Sequence, residues 1–420
     1  MPGRSQAFKV DFMQLARSHL EQQPLHYDST RTWWAWRENR WVTVDETDIL
    51  ESIAIGIGMG DVIFRRIRET LLEALRILAR ANRPEEPGPR VIQFKNKLYD
   101  MERDRWFEPT PSLFITSPIP WDPGDSEETP VIDTLFESWV GPAKEMLLEI
   151  CAYCLLPSYP IHRFFVLYGD GMNGKTSFLR LLTRFLGQDN VVSTALEKLV
   201  SNRFEVARLY RKLCCIIGET SLRVLSKTDV LKRLTGEDLC TGEHKFRDAF
   251  DFTNHAKIIV ATNVIPVSTD RTTAFYRMAI ILDFPNTFEH GRDVVAEIPE
   301  QEFRNLATRC ISVLRRLLSR GRFSREGEVR ERARTYELHS SPVAVFVSER
   351  CVEDPSARTP AREFYDACRS WLTRQGLRPL TDREMALQLK TLGCTVRPAR
   401  LRTSEGSEVA RCVFGLRLRE

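Results

Sequence analysis

The sequence predicts an α/β protein in which a parallel-sheet core is preceded by an α+β section and followed by a winged-helix-like section. The core is predicted by residues 163–285, where short apolar runs alternate with helical segments, the pattern of a parallel sheet with crossover helices. The first section is predicted by a β-hairpin pattern over residues 31–44 that turns at Glu38-Asn39. The last section is predicted by two helices, beginning near Thr359 and Thr381, that precede two candidate strands.

The elements of the first half follow from local patterns. Amphipathic helical spacing covers residues 8–20 and 48–82, and residues 90–100 are typical of further β structure. From Val131 to Leu156 the apolar spacing predicts one helix that ends at Pro157.

The elements of the second half are predicted in the same way. Residues 292–334 are expected to be helical and highly charged, and residues 342–351 form another expected helix. Thr359 is the expected N-cap of a helix with proline at its first position, which continues to Arg374. Residues 395–402 and 410–416 are expected to pair as a two-stranded wing.

These patterns divide the chain into five expected parts. In order, they are an N-terminal α+β domain (1–125), a helical collar or linker (126–157), the α/β core (158–290), a helical segment (291–340) and a winged-helix-like basic domain (341–420).

Composition excludes several classes of protein. With 420 residues, 42% hydrophobic and 28% charged, the chain is neither disordered, nor fibrous, nor a small disulfide scaffold. No stretch approaches the ~18 apolar residues of a membrane span, and no signal-peptide core follows Met1. We therefore expect no membrane partner and a cytoplasmic location, in the host cell if the protein is viral. Ten cysteines without repeated spacing predict reduced thiols, and the helical spacing of Cys151 and Cys154 favours packing over metal binding.

Two features leave their function open at this point. Residues 356–420 contain 13 Lys and Arg against 7 Asp and Glu, a net charge of +6, which suits an acidic partner such as nucleic acid or merely a solvated surface. Four tryptophans within residues 33–41 could stack on bases, but a small aromatic core or a subunit contact is the favoured interpretation.

The strongest motif predicts a site for a nucleoside triphosphate. An apolar strand, the pattern Gly-x4-Gly-Lys-Thr and an amphipathic helix follow one another, which is the context of a phosphate-binding loop. Its glycines allow backbone N–H groups to wrap the phosphates, and the helix N-terminus adds partial positive charge. Lys175 would reach the β- and γ-phosphates of ATP and the Thr176 hydroxyl would bind Mg²⁺. The predicted binding residues are Gly169, Asp170, Gly171, Met172, Asn173, Gly174, Lys175, Thr176 and Ser177.

Three further polar residues are predicted to act on the same nucleotide. Glu219 follows an apolar strand and would polarise the attacking water or meet Mg²⁺ through water. Asn263 ends the next strand and could hold that water against the γ-phosphate. Arg277 precedes another strand and could enter a neighbouring subunit's site as an arginine finger, with Arg271 as the second choice. The alternatives are an ordinary strand-end charge for Glu219 and a surface salt bridge for Arg277.

The order of motifs GDGMNGKTS, LCCIIGE, LKRLTGEDLCTGEHKF, IIVATN and FYRMAIILDFP resembles that of the superfamily 3 helicases. The resemblance is to the phage and plasmid primase-helicase branch, which includes the poxvirus NTPase-helicase, and it covers roughly residues 90–290. It implies an AAA+-like P-loop ATPase core that works as a hexameric ring on one DNA strand. It also implies that Glu219 is catalytic, that Asn263 has the sensor role and that Arg277 is the finger in trans.

The resemblance gives a role to His244, Lys245 and Phe246. They match the segment that shapes a DNA-gripping hairpin, where a lysine can hold a backbone phosphate and a neighbouring ring can touch sugar or base. The alternative is that Lys245 is merely exposed. This chain departs from the family in having Gly218 in place of a second acid and Met278 after Arg277.

The expected function is that of an ATP- and Mg²⁺-dependent replicative DNA helicase of a virus, phage, plasmid or integrated element. Its expected partners are single-stranded and forked DNA, further copies of itself, and a primase or polymerase on another chain, because no primase-like acidic cluster precedes the core. The alternatives are an origin-binding or packaging ATPase that grips DNA without unwinding it, and a small-molecule P-loop kinase.

Overall fold

The computed structural model describes residues 11–57, 61–169, 171–218, 224–225, 227–245, 248–268, 270, 272–289, 293–375, 377–403 and 406–419. Its first section contains a three-stranded antiparallel sheet in the order β1-β2-β3, packed on three helices. The elements are α1 (Phe12–Gln22), β1 (Leu25–Tyr27), β2 (Trp33–Arg37), β3 (Arg40–Val44), α2 (Glu46–Ile57) and α3 (Asp61–Ala81). The helix predicted over residues 48–82 corresponds to α2 and α3, and residues 58–60 between them lie outside the described residues.

The predicted hairpin at residues 31–44 is confirmed. Glu38 and Asn39 have φ values of 48° and 62°, as a two-residue turn of type I′ requires. Trp34 and Trp41 are 7% and 1% exposed and enclose Phe114. The tryptophans thus contribute to an aromatic core, as the favoured interpretation of this segment had it.

A second small sheet and two helices lead to the core. The elements are β4 (Val91–Gln93), β5 (Leu98–Asp100), β6 (Arg105–Phe107), α4 (Pro130–Val140), a 3₁₀ turn (Gly141–Ala143) and α5 (Lys144–Cys154). The prediction of one helix over residues 131–156 is wrong, because Gly141 has a φ of 53° and Pro142 follows it, which interrupts the helical hydrogen bonds. Cys151 and Cys154 are free and buried within α5, in agreement with a packing role.

The centre of the molecule is a five-stranded parallel sheet in the order β15-β7-β13-β9-β8. The elements of this part are β7 (Phe164–Tyr168), α6 (Lys175–Leu186), a 3₁₀ turn (Gln188–Asn190), β8 (Val191–Thr194), α7 (Leu196–Ser201), α8 (Arg203–Ala207), β9 (Cys214–Ile217), β10 (Val224–Leu225), α9 (Thr228–Thr235), β11 (Leu239–Glu243), β12 (Ala249–Thr253), β13 (Lys257–Thr262), β14 (Val267–Ser268), α10 (Thr273–Met278) and β15 (Ala279–Asp283). Both faces of the sheet are covered: Phe165 and Leu167 lie in one hydrophobic core, Phe164 and Val166 in another. The predicted parallel α/β core is confirmed, and it is compatible with a P-loop protein.

The last part of the described chain contains five helices and three strands. They are α11 (Glu300–Arg320), α12 (Val329–Ser340), α13 (Pro342–Arg350), β16 (Cys351–Pro360), α14 (Ala361–Arg374), α15 (Asp382–Thr391), β17 (Val396–Thr403) and β18 (Gly406–Leu418). The strands form an antiparallel sheet in the order β16-β18-β17, so the expected two-stranded wing has a third strand. Among the described residues, no helix combines the length and the apolar character that crossing a bilayer requires.

The two predicted helix caps of this part have different outcomes. Thr381 caps α15, and Glu384 completes a reciprocal capping box with it, because a hydroxyl and a carboxylate can each satisfy one backbone N–H there. Thr359 is not an N-cap: it lies in β16, and its hydroxyl donates to the carbonyl oxygen of Leu416 at 2.6 Å. Pro360 ends the strand and α14 begins at the next residue.

Candidate nucleotide site and hairpin

The loop between β7 and α6 ends in a left-handed glycine directly before the helix. Gly174 caps α6 with a φ of 91°, a conformation that L side chains rarely adopt. A Cβ at this position would also lie 2.4 Å from the ring of Trp139. Only glycine fits, since the loop turns left-handed while it is pressed against α4.

The first turn of α6 faces the same loop. Its backbone N–H groups have no acceptor within the helix and lie at the positive end of the helix dipole. Thr176 is exposed and Ser177 is half-buried at this end. An anionic phosphate is the ligand that such a helix end favours.

Lys175 brings the loop and a second strand together. Its side chain is buried, and the amine donates to Gly169 O at 2.6 Å, to Asn173 Oδ1 at 3.0 Å and to Asn263 Oδ1 at 3.0 Å. Asn173 in turn donates to Phe284 O at 3.1 Å. The amine therefore sits among oxygens at the carboxyl end of the sheet, where phosphate oxygens could replace them.

The sheet order explains why Asn263 reaches Lys175. Strand β13, which ends at Thr262, pairs directly with β7 and places Thr262 beside Tyr168. Strand β9 pairs with the other side of β13, so the strand leading to Glu219 is one strand further away. Glu219 lies outside the described residues, and the last described residue before it, Gly218, lines the same cavity as Lys175.

That cavity has a volume of about 790 Å³. Its polar side is the loop and the strand ends, and its other side is formed by α4 and by the segment after β15. The residues of this other side are Leu135, Ser138, Trp139, Phe288, Glu289 and Val294. These residues could not be selected from the sequence, because they come from segments that meet only in the folded chain. A polar wall opposite a largely apolar wall suits a ligand with a charged part and a flat apolar part, as a nucleotide has.

The structure brings most of the predicted nucleotide residues together. Gly171, Met172, Asn173, Gly174, Lys175, Thr176, Ser177 and Asn263 all line this cavity, and Gly169 accepts a hydrogen bond from Lys175. Asp170 lies outside the described residues. No group of three or more His, Cys, Asp or Glu side chains that could hold a metal ion occurs among the residues searched, which are the described ones. A Mg²⁺ ion here would depend on Thr176, on the nucleotide and on residues beyond that set.

Arg277 lies elsewhere in this protomer. It is exposed on α10 and, as far as the chain is described, does not line the cavity. Helix α10 is held against α12: Tyr276 Oη donates to Glu337 Oε1 at 2.8 Å, and Phe275 packs edge-on against Tyr336 at 5.2 Å. Arg271 lies outside the described residues.

The predicted hairpin exists as β11 and β12, which pair antiparallel from Leu239–Thr253 to Glu243–Ala249. His244 and Lys245 follow β11 in the turn, and Phe246 lies outside the described residues. The His244 ring stacks on Phe250 at 5.1 Å, and Lys245 is exposed. Neither residue lines the nucleotide cavity; both line a separate groove.

Comparison with known proteins places these features in a wider context. Residues 167–277, from β7 to Arg277, match a family described as "Family of unknown function (DUF5906)". The structure titled "The A form apo structure of NrS-1 C terminal region-CTR" is 12% identical, with a TM-score of 0.51 over 97% of this chain and 100% of that one. The structure titled "The apo structure of NrS-1 C terminal region" gives a TM-score of 0.49 at 12% identity and the same coverage. At this identity the likeness is one of fold, and it extends along nearly the whole chain.

Proposed function

We propose that this protein is an ATP-dependent DNA helicase that works as a hexameric ring in the replication of a virus, phage, plasmid or integrated element. The observation that carries the proposal is the contact of Lys175 with Asn263 at 3.0 Å. This contact joins the loop before α6 to the polar residue that follows β13. A site that binds a triphosphate and also positions the attacking water needs both groups together.

The division of residues between two places supports a ring. Lys175, Thr176 and Asn263 share one cavity, whereas Arg277 is exposed on α10, outside it. Arg277 also makes no ion pair within the described part of the chain. A cation in this position can act on the nucleotide of a neighbouring copy, where it would stabilise the charge of the transition state.

The elements outside the core support a DNA partner. The β11–β12 hairpin presents Lys245 to solvent beside the stacked His244 ring, a pairing of cation and ring that suits a single strand. The C-terminal elements follow the order helix, strand, two helices and two strands. This order supports a winged-helix-like domain after the proposed AAA+-like core. Such a domain would bind duplex DNA or a replication partner.

The test combines ATP hydrolysis with strand displacement on a forked duplex in the presence of Mg²⁺. We expect turnover stimulated severalfold by single-stranded DNA, and displacement that requires ATP. Lys175→Ala should lower turnover about 10²-fold or more, because it removes a cation from the charged phosphates. Lys198→Ala, a change at an exposed lysine on α7, is the matched control and should leave turnover unchanged.

The outcomes separate the alternatives. DNA-stimulated hydrolysis without strand displacement would favour an initiator or packaging ATPase. Hydrolysis that ignores DNA would favour a small-molecule kinase, and undiminished turnover in Lys175→Ala would remove the nucleotide site from this cavity.

A further inference from the structure

A second groove, with a volume of about 930 Å³, lies between the β2–β3 hairpin and the central α/β part. Its walls carry the cations Arg40, Arg208, Arg211, Lys212 and Lys245, and the one acidic side chain among the described residues of the lining is Asp189. Two of these cations have carboxylate partners outside the lining, since Arg208 pairs with Glu205 and Arg211 with Glu86. Tyr210, which is half-buried, also lines it, whereas the lining rings of Trp34 and Trp41 are 7% and 1% exposed and belong to the aromatic core. Several cations beside an accessible ring are a lining that suits a single-stranded nucleic acid.

The positive charges crowd one another around Asp189. Arg40 pairs with the Asp189 carboxylate at 3.1 Å, and the Lys212 amine donates to the Asp189 carbonyl oxygen at 2.5 Å. Burial lowers the pKa of Lys212, and the charges of Arg40 and Arg208 lower it further against the pull of Asp189. An added anion would therefore meet Arg40 and Lys212, which both contact Asp189, together with Arg208, which pairs with Glu205 at 2.8 Å.

The groove continues to the predicted DNA hairpin. Tyr210 packs edge-on against Phe250 at 5.3 Å, and Phe250 stacks on His244 at 5.1 Å. Lys245 itself lines the groove. An exposed ion pair also joins the two parts: Arg31 of the N-terminal section pairs with Asp248, beside the hairpin turn, at 2.8 Å.

We propose that this groove binds a single-stranded polynucleotide, so that the N-terminal section and the central part together hold the strand next to His244 and Lys245. The phosphates would lie along Arg40, Arg208 and Lys212, and a base could approach Tyr210. This proposal rests on the proposed function, because the groove would bind the same DNA strand that the hairpin is proposed to grip.

The test measures binding of a fluorescent oligo(dT) to the full chain by anisotropy at several salt concentrations. The variant carries Arg40→Ala and Arg208→Ala, and Arg316→Ala is the control, because that arginine pairs with Glu145 at 3.6 Å on α11, away from the groove. We expect affinity to fall about tenfold or more and the salt slope to fall by about 1.4, at roughly 0.7 for each phosphate contact in a single strand. The control should bind within about twofold of the unmodified chain.

A second measurement does not depend on substitutions. An oligonucleotide containing 5-iodouracil should crosslink on irradiation to the peptide that includes Tyr210. Crosslinks confined to other peptides would contradict the proposal. Poly-glutamate that competes as effectively as oligo(dT) would also contradict it, because the groove would then bind an acidic protein segment instead.

The two proposals can fail separately. If the chain binds oligo(dT) and the double variant binds it equally tightly with the same salt slope, the groove proposal is wrong and the helicase proposal stands. If oligo(dT) binding depends on Arg40 and Arg208 but forked duplex is never displaced, the helicase proposal is wrong and the groove stands.

Discussion

Lys257 begins β13 and is fully buried beneath the central sheet. Its amine donates to the backbone oxygens of Leu156, Ser158 and His255, and it lies over the rings of Tyr153 and Tyr159. Burial lowers the pKa of Lys257 to about 7 from its ordinary value of 10.5. Lys257 therefore links the segment after α5 to the sheet by hydrogen bonds, although burial disfavours the charged form of its amine.

Lys257→Met should lower the free energy of unfolding, because the carbonyl oxygens of Leu156, Ser158 and His255 then lose a donor that supplies three N–H groups when charged and two when neutral. Each lost hydrogen bond should cost about 1–3 kcal/mol. The loss should depend on pH. The amine is charged in the unfolded chain up to about pH 10 but neutral in the folded chain above about pH 7. The stability that the neutral amine provides is thus complete above the unfolded pKa and declines as pH falls from about 10 to 7.

Urea unfolding of the parent and of Lys257→Met at pH 6, 8 and 9.5 checks this. We expect the difference in unfolding free energy to grow with pH by an amount on the order of a few kcal/mol. A difference that stays constant across the series would show that the folded-state pKa of Lys257 is not lowered.

At the scale of elements, Glu326 fastens α12 to the central sheet. Its carboxylate accepts from Arg163, next to β7, at 3.1 Å and from Arg332 of α12 at 3.3 Å, and Phe323 N donates to it at 3.1 Å. The side chains of Arg163, Glu326 and Arg332 are 12%, 5% and 7% exposed. The buried Glu326 carboxylate thus neutralises part of the charge of two nearly buried guanidinium groups.

Glu326→Ala should destabilise the protein by about 3–5 kcal/mol, since it leaves buried positive charge without a partner. Urea denaturation provides the measurement. The control is Glu137→Ala, which removes the exposed partner of Lys144 at 2.6 Å and should cost about 1 kcal/mol or less. Equal losses in the two variants would contradict the assignment of Glu326 as a buried fastener.

The β11–β12 hairpin makes a prediction about DNA. Lys245→Ala should reduce strand displacement about tenfold or more, because it removes a phosphate contact from the element that is proposed to grip the strand. The ratio of DNA-stimulated to unstimulated ATP turnover should fall with it. Lys227→Ala, at the lysine that precedes α9, is the control, and displacement retained in full by Lys245→Ala would exclude this role for the hairpin.

The elements that the sequence predicts well are those whose signals are local. The β2–β3 hairpin and the α15 cap each depend on neighbouring residues, namely Glu38-Asn39 and Thr381 with Glu384. The break between α4 and α5 at Gly141 is not predicted, because the helical spacing of apolar residues continues on both sides of it. The wall of the nucleotide cavity at Trp139 and Phe288 could not be predicted, because it depends on how α4 and the segment after β15 pack against the loop.

At the scale of the whole molecule, the position of Arg277 predicts dependence on neighbouring copies. Arg277→Ala should lower ATP turnover by about 10³-fold or more if it acts as a finger in trans. Mixing it with Lys175→Ala should restore part of the activity, since some interfaces then combine an intact cavity with an intact arginine. Turnover that is independent of protein concentration, with no recovery on mixing, would place the stabilising cation elsewhere.

Helix α12 touches both parts of the proposed catalytic unit. His339 contacts Asp283 at 3.3 Å and the ring of Tyr168 at 4.8 Å, at the end of the strand that leads into the loop before α6. Burial lowers the pKa of His339, but the hydrogen bond and charge of Asp283 outweigh it and raise the pKa above its ordinary value. Three residues earlier, Tyr336 packs against α10, which carries Arg277.

Because α12 leads through Ser341 into α13 and Arg334 pairs with Glu349 at 3.0 Å, one helix joins the C-terminal part to α10 and to the end of β7. If the proposed nucleotide favours one arrangement of α12, a partner of the C-terminal sheet that favours the same arrangement would raise nucleotide affinity by the factor by which nucleotide raises its own.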